Sequence, residues 1–350
     1  MVEAKSALYG MSLSELDRLC AELGMPKFAA KQIANWLYIK QVGEISQMTN
    51  LSQSSRALLS RSYRVGRSAP IHESVAEDGT KKYLFATEDE NFIESAYIPD
   101  AERATLCISS QVGCRMGCKF CATARQGLVR SLTAGEILNQ FASLPEHDGL
   151  TNIVFMGMGE PLDNIDNLLK ALEVLTAEWG YAWSPSRITV STAGVIPALK
   201  RLLDESSVHI AISLHNPYSD ERREIMPIER AYPIADVMEL LRGYDFTRQR
   251  RLSFEYILMS GMNNSPHHIR EICRLLDGVK ARLNIIRFHK IPSSPYFSPP
   301  MEKMTTFRDT LTAKGIHTTI RRSRGEDIEA ACGMLSTKAQ SGKICDREDN

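Results

Sequence analysis

Absences narrow the sequence first. No stretch of the chain approaches the roughly 18 consecutive apolar residues that a membrane-spanning helix needs, and the opening MVEAKSALYG lacks the apolar core of an export signal. The chain is therefore expected in the cytoplasm, away from membranes. Net charge is missing too. With 42 Lys and Arg against 42 Asp and Glu, no overall field draws in a polyanion, and any nucleic-acid contact has to come from a local patch. No internal repeat or low-complexity tract appears, and no G-x-G-x-x-G run marks a dinucleotide site.

What is present fits an enzyme. A chain of 350 residues can bury a large core and leave material for a second, smaller domain. Residues 1–75 read as a helical domain. Ser12 and Glu15 make a capping box ahead of Leu13, Leu16, Leu19 and Leu23, and helical patterns recur at 28–39 and 52–63. Residues 1–70 hold nine Lys or Arg against five acids, an excess of four, which an RNA-binding face and an ordinary solvated surface explain equally well. A β-hairpin linker is expected over 76–102, in KKYLFATEDENFIESAYIP. From 103 to 336, short β-branched runs (TLCIS, NIVFMG, RITVST, VHIAISL, LSFEYIL, LNIIRF and HTTIRR) alternate with helical stretches. That alternation predicts an α/β domain whose parallel strands curl into a partial (β/α) barrel, with the chemistry on the loops that follow the strands. Residues 337–350 read as a polar tail.

Eight cysteines without an export signal argue for metal or redox chemistry rather than a disulfide framework, the more so as four fall within positions 107 to 121. In GCRMGCKFCATARQG, Cys114, Cys118 and Cys121 are spaced C-x3-C-x2-C just after the first barrel strand. Structural zinc usually takes four protein ligands. An iron–sulfur cube on three thiolates keeps one iron without a protein ligand, open to a small molecule. A zinc site with a distant fourth ligand and buried reduced cysteines are the bland alternatives. Gly157, Gly159 and Glu160 in FMGMGEP follow the second strand, where glycines let backbone approach a ligand and the carboxylate can receive an ammonium. Ser191, Ser213, Leu214 and His215 stand at the ends of the third and fourth strands; singly, each is more often a cap, a core residue or a satisfied histidine than a ligand. Cys20, Cys273 and Cys345 read as small hydrophobes or surface residues.

The cysteine motif resembles the signature of the radical S-adenosylmethionine superfamily. That resemblance implies one [4Fe-4S] cluster on Cys114, Cys118 and Cys121, with S-adenosylmethionine bound to its unique iron and gripped by Gly159 and Glu160. Further stretches, namely TLCISSQVGC, STAGVIPAL, ISLHNPYSDERREIMPI and GEDIEAACG, narrow it to the RlmN and Cfr group of RNA methyltransferases over nearly the whole chain. The group implies two S-adenosylmethionine molecules per turnover. One methylates Cys332; the radical from the second removes hydrogen from that methyl group, which then adds to an adenine carbon. Cys107 releases the product by forming a disulfide with Cys332, and Glu94 matches the group's proton acceptor, although on its own it would read as an outward strand glutamate. Ser191, Ser213, Leu214 and His215 become cofactor contacts. Where members of the group carry Trp-Asn-Pro after the sixth barrel strand, this chain reads IIRFHKIP, placing His289 at the position of the cofactor-binding Asn.

Gly-Glu-Pro at 159–161 is nearer to RlmN than to a Cfr form with Gly-Glu-Ala, which favours adenine C2 over C8. The resemblance also implies ribosomal and transfer RNA as substrates, an electron donor such as flavodoxin or ferredoxin, and a monomer. The basic N-terminal helices with Arg321, Arg322 and Arg324 are candidate phosphate contacts. The readings from other classes are an activase or sulfur-inserting radical enzyme, which would not need Cys332, and a non-catalytic RNA-binding protein with a structural metal.

Overall fold

The computed structural model describes residues 5–248, 250–288, 294–325 and 327–328. His289, Cys332, Cys345 and the tail lie outside them. The N-terminal unit is closed by β1 (Ser6–Ala7) and β2 (Tyr63–Arg64), which pair in parallel across α1 (Leu13–Glu22), α2 (Ala29–Ala34) and α3 (Gln53–Ser62). The expected capping box is present: Glu15 N–H donates to Ser12 Oγ, and the Glu15 carboxylate accepts from Ser12 N–H at 2.8 Å. α2 runs on as a π-helical turn over Asn35–Ile39. Leu16, Leu19 and Cys20 are buried, so Cys20 is the small hydrophobe expected of it.

Backbone contact docks this unit on the barrel. Gly10 (φ +94°) abuts Gly135, and a Cβ on Gly10 would lie 2.3 Å from the Gly135 nitrogen. Tyr9 and Tyr181 hydroxyls meet at 2.5 Å, and Lys170 reaches Glu15 at 2.5 Å.

Ten strands form one open sheet. β3 (His72–Val75), β4 (Lys81–Ala86) and β5 (Phe92–Asp100) are antiparallel to one another, and β5 is antiparallel to β6 (Arg103–Cys107). The hairpin expected as a linker is thus continuous with the main sheet, and β3 was not anticipated. From β6 onward the neighbours are all parallel: β9 (Asn152–Phe155), β10 (Ile188–Thr192), β11 (His209–Ser213), β12 (Leu252–Leu258), β13 (Ala281–Arg287) and β14 (His317–Ile320). Ile153, Ile188, Val190, Ile210 and Ile212 have almost no exposure, as strands covered on both faces require. Because β3 and β14 are the two edges, the barrel is partial.

α5 (Ala134–Ala142), α6 (Ile165–Thr176), α7 (Ile196–Glu205), α9 (Ile234–Arg242), α10 (Pro266–Leu276) and α11 (Met301–Ala313) are the crossovers that parallel neighbours demand. The short hairpin β7 (Gln111–Gly113) and β8 (Leu128–Ser131), with α4 (Ala122–Arg125), frames the cysteine loop, and α8 (Ser219–Ile225) packs beside it.

Candidate active site

The cysteine loop leaves the C-terminal end of β6. Gly113 turns the chain at φ +73°, a conformation that favours glycine, and a Cβ there would lie 1.8 Å from the Gly127 carbonyl oxygen. Cys114 N–H donates to that same carbonyl at 2.8 Å, Cys121 N–H to the Cys118 carbonyl at 3.1 Å, and Lys119 N–H to the Ile225 carbonyl at 3.0 Å, tying the loop to α8. Burial pushes the Cys114 thiol up to about 12 and the Cys118 thiol further, and each is raised again by Cys121. Cys114 and Cys118, raised in this way, need a cationic partner to become thiolates.

The loop after β9 is locked onto this segment. A Cβ on Gly157 would lie 2.7 Å from the Ile108 carbonyl group, and one on Gly159 (φ +97°) 2.5 Å from Gln111 Cβ. Both glycines let this loop pack closely against the segment that follows β6. Glu160 is buried between two strand ends. Its Oε2 accepts from Ala193 N–H at 2.8 Å, its Oε1 from Leu162 N–H at 3.1 Å, and burial raises it to about 7. A carboxylate so poised would be returned to its charged form by an ammonium.

Ser191 and Ser213 are half-buried on β10 and β11, whereas Leu214 is fully buried. Arg222, which has no exposure, donates to the Ala193, Ser213 and Leu214 carbonyls at 2.9, 2.9 and 3.0 Å and pairs with the equally buried Glu229. His215 adopts φ +52°, its Nδ1 accepts from Ile257 N–H at 3.1 Å, and its ring meets Phe120 edge-on at 4.8 Å. Burial, then Arg222, lowers this imidazole to about 3, so it is neutral.

Cys107 and Glu94 share a face of the sheet. In register, Lys82, Ala96, Cys107 and Val154 form one row across β4, β5, β6 and β9, and Glu94 is two residues from Ala96 on the same side. Glu94 is 3% exposed and pairs with Lys82, 2% exposed, at 2.6 Å. An outward-facing strand glutamate is excluded. Burial raises the Cys107 thiol to about 11, while Arg321 and Lys82 draw it down. The chain leaving β14 is pinned to the same flank. Arg324 reaches Asp100 at 3.0 Å, Gly325 N–H donates to Asp78 at 3.1 Å, and Asp327 accepts from Glu77 N–H at 3.0 Å. Cys332 itself lies outside the described residues, as does His289.

Residues 108–276 match the family model of the radical SAM superfamily, and residues 6–65 that of the ribosomal RNA large subunit methyltransferase N-terminal domain. A Bacteroides fragilis protein named "Probable dual-specificity RNA methyltransferase RlmN" is 57% identical over 336 residues, covering 96% of this chain and 98% of its own. Syntrophus aciditrophicus "Dual-specificity RNA methyltransferase RlmN" is 42% identical, covering 95% and 97%. The chain belongs to the RlmN family. A crystal structure of a radical SAM methyltransferase from Sphaerobacter thermophilus superposes with a TM-score of 0.87 at 39% identity, covering 94% of this chain and 98% of that one.

The cysteines suit the cluster that the RlmN family implies. Among the described residues, one set of three His, Cys, Asp or Glu ligand atoms lies within 4.8 Å of one another, Glu221, His267 and His268. The Cys118 thiol is raised by both Cys121 and Cys114, and the Cys114 thiol by Cys121, so the three side chains gather in one loop. Three residues of this RlmN site were not foreseen: Lys82, Arg222 and Glu229. Charged residues inside a strand (Lys82) and in SDERREIMPIER signal a buried ion pair only once the partner is known, and the partners are set by tertiary structure.

Proposed function

We propose that this chain methylates C2 of an adenosine in large-subunit ribosomal RNA and of the adenosine beside the anticodon in transfer RNA, through a methyl group carried first on Cys332. The observation that carries this reading is a three-cysteine loop at the C-terminal end of β6 with Cys107 and Glu94 on the strands beside it, in a chain similar along nearly its full length to proteins named for RNA methylation. Cys114, Cys118 and Cys121 are the residues that would hold a [4Fe-4S] cluster. Glu160, with Gly159, Ser191, Ser213, Leu214, His215 and His289, would hold S-adenosylmethionine. When bound, these groups supply a methyl group and a one-electron cleavage to a carbon radical, which suits an adenine C2 too electron-poor to attack a sulfonium itself.

Glu94 takes the proton from the substituted carbon, and its partner Lys82 balances the buried charge. Cys107 then attacks the sulfur of Cys332, which forms a disulfide and frees the methylated base. The same reading places the enzyme in the cytoplasm as a monomer served by flavodoxin or ferredoxin; among the described residues no helix is long and apolar enough to cross a membrane. The target adenine has to leave its stack to reach so buried a site. Gly159 to Pro161 favours C2 over C8. Mass spectrometry of nucleosides from RNA incubated without oxygen with enzyme, cofactor and reductant tests this. The expected product is 2-methyladenosine. A product of 8-methyladenosine would assign the Cfr-type reaction, and deoxyadenosine without methylated RNA would point to a radical enzyme of another purpose.

A further inference from the structure

The N-terminal ends of the barrel strands, opposite the cysteine trio, hold a concentration of charge that the reaction does not use. Arg103 opens β6, Arg187 and Arg251 immediately precede β10 and β12, and Arg282 is the second residue of β13. These arginines line the foot of one cavity of about 480 Å³, whose lining includes a single carboxylate, Glu102, and which runs up the strands to Val154 and to Arg321 beyond β14, near Cys107. In a chain whose charges cancel, Arg103, Arg187, Arg251 and Arg282 against Glu102 make a local excess of three.

Arg321 is engaged, 3.2 Å from Glu255. The other four form no side-chain hydrogen bond or ion pair among the described residues. His209, in the same cavity, is lowered by burial and then by Arg251, Arg250 and Arg282, and its Nδ1 accepts from Arg251 N–H at 3.0 Å.

The surfaces that the sequence offered as phosphate contacts are partly spent elsewhere. Arg64 pairs with Glu88, Arg56 donates to the Met48 and Leu51 carbonyls, Arg67 to those of Gln41 and Ala142, and Arg324 to Asp100. Uncommitted guanidinium groups gather instead at the foot of the barrel. Their planar forks match phosphate oxygens, and like charges held together are relieved by an anion. Arg103 on β6 and Arg282 on β13 are separated by five strand steps, about 24 Å along the curved sheet at roughly 4.8 Å per strand. Four such forks at the feet of four strands carry more donors than one phosphate can accept, which suits a run of phosphates.

We propose that the foot of this cavity, where Arg103, Arg187, Arg251 and Arg282 stand, is a phosphate site that grips the sugar–phosphate backbone of the RNA substrate at the strand ends opposite the cysteine trio. The proposal rests on the reading of the chain as an RNA methyltransferase. A strand of seven residues such as β12 rises about 23 Å, so only an RNA long enough to reach from the mouth of the barrel to its foot can use both sites.

The test compares the reconstituted wild type with the triple variant Arg187→Glu, Arg251→Glu, Arg282→Glu, measuring affinity for a full-length transfer RNA transcript and for a short stem-loop between 50 and 300 mM salt. At roughly 0.7 to 0.9 counterions released per contact, three lost contacts should flatten the log–log slope by about two to three and weaken binding of the long RNA by about tenfold or more. The stem-loop should bind both proteins alike, and deoxyadenosine formation without RNA should not change. A control pair on the outer helices, Arg274→Glu with Arg308→Glu, should leave the slope as it was.

An unchanged slope for the long RNA, or an equal loss in the control, would overturn the proposal. So would inorganic phosphate binding at the cavity while RNA affinity stays the same, which would mark a site for free phosphate only. If the charge reversal harms folding, the same three positions changed to Gln decide by the same slope. Wild-type protein that neither binds nor methylates RNA would instead remove the functional reading itself.

Discussion

Lys82 and Glu94 together decide what the buried flank of the site can do. Removing one member of a fully buried ion pair strands the other's charge, at a cost of about 3–5 kcal/mol, while replacing both with apolar residues is often close to neutral. Lys82→Met should therefore lower the urea midpoint sharply, and Lys82→Met combined with Glu94→Leu should recover most of that loss while RNA methylation stays absent. Recovery of methylation in the double variant would dismiss Glu94 as the proton acceptor. Cys107 sits in the same row, its thiol raised to about 11 by burial. If it releases the product by attacking Cys332, Cys107→Ala should leave RNA joined to the protein, visible as a slow band in denaturing gels that Cys332→Ala does not form. At this scale the sequence is uneven. Spacing alone picks out Cys114, Cys118 and Cys121. Glu94 looks like a solvated glutamate until β4 supplies a lysine against it, and residue order does not reveal which strand will do so.

Elements reach the site through turns that only glycine can make. Gly113 combines φ +73° with a Cβ position 1.8 Å from the Gly127 carbonyl, and that carbonyl holds the Cys114 amide. Gly113→Ala should cost about 1–2 kcal/mol from conformation alone, and the clash should pull the β7–β8 hairpin apart. The expected result is a chain that still folds but, after anaerobic reconstitution, retains far less iron than the wild type; full iron content would show that the loop tolerates the shift. The barrel strands and most crossovers were legible because each unit reports itself locally, as apolar β-branched runs and amphipathic stretches. β3 was missed because His72–Val75 alternates between half-buried and exposed and offers no apolar signature. The hairpin was legible but its place was not, since pairing of β5 with β6 is decided by the sheet that forms around it.

For the molecule as a whole, histidine couples folding to acidity. His147, His209, His215 and His268 are all lowered from the ordinary histidine range, with burial the largest cause in each. They come from the α5–β9 connection, β11, the loop after β11 and α10, so no single region carries the effect. A histidine whose folded value is depressed stays neutral while the unfolded chain takes up a proton below about 6.5, so the unfolded state binds more protons and stability falls as the pH is lowered. The contribution is complete above about 6.5 and is lost as pH falls toward the folded value, which for His215 is about 3. His215, still neutral at pH 5.5, costs about 1 kcal/mol relative to pH 6.5, and the other three add in the same direction. Urea unfolding at pH 7.5 and 5.5 should show the wild type losing more than the roughly 1.4 kcal/mol that His215 alone supplies, and His147→Gln with His268→Gln should lose measurably less. Parallel losses in both proteins would mean that the acid sensitivity comes from carboxylates instead.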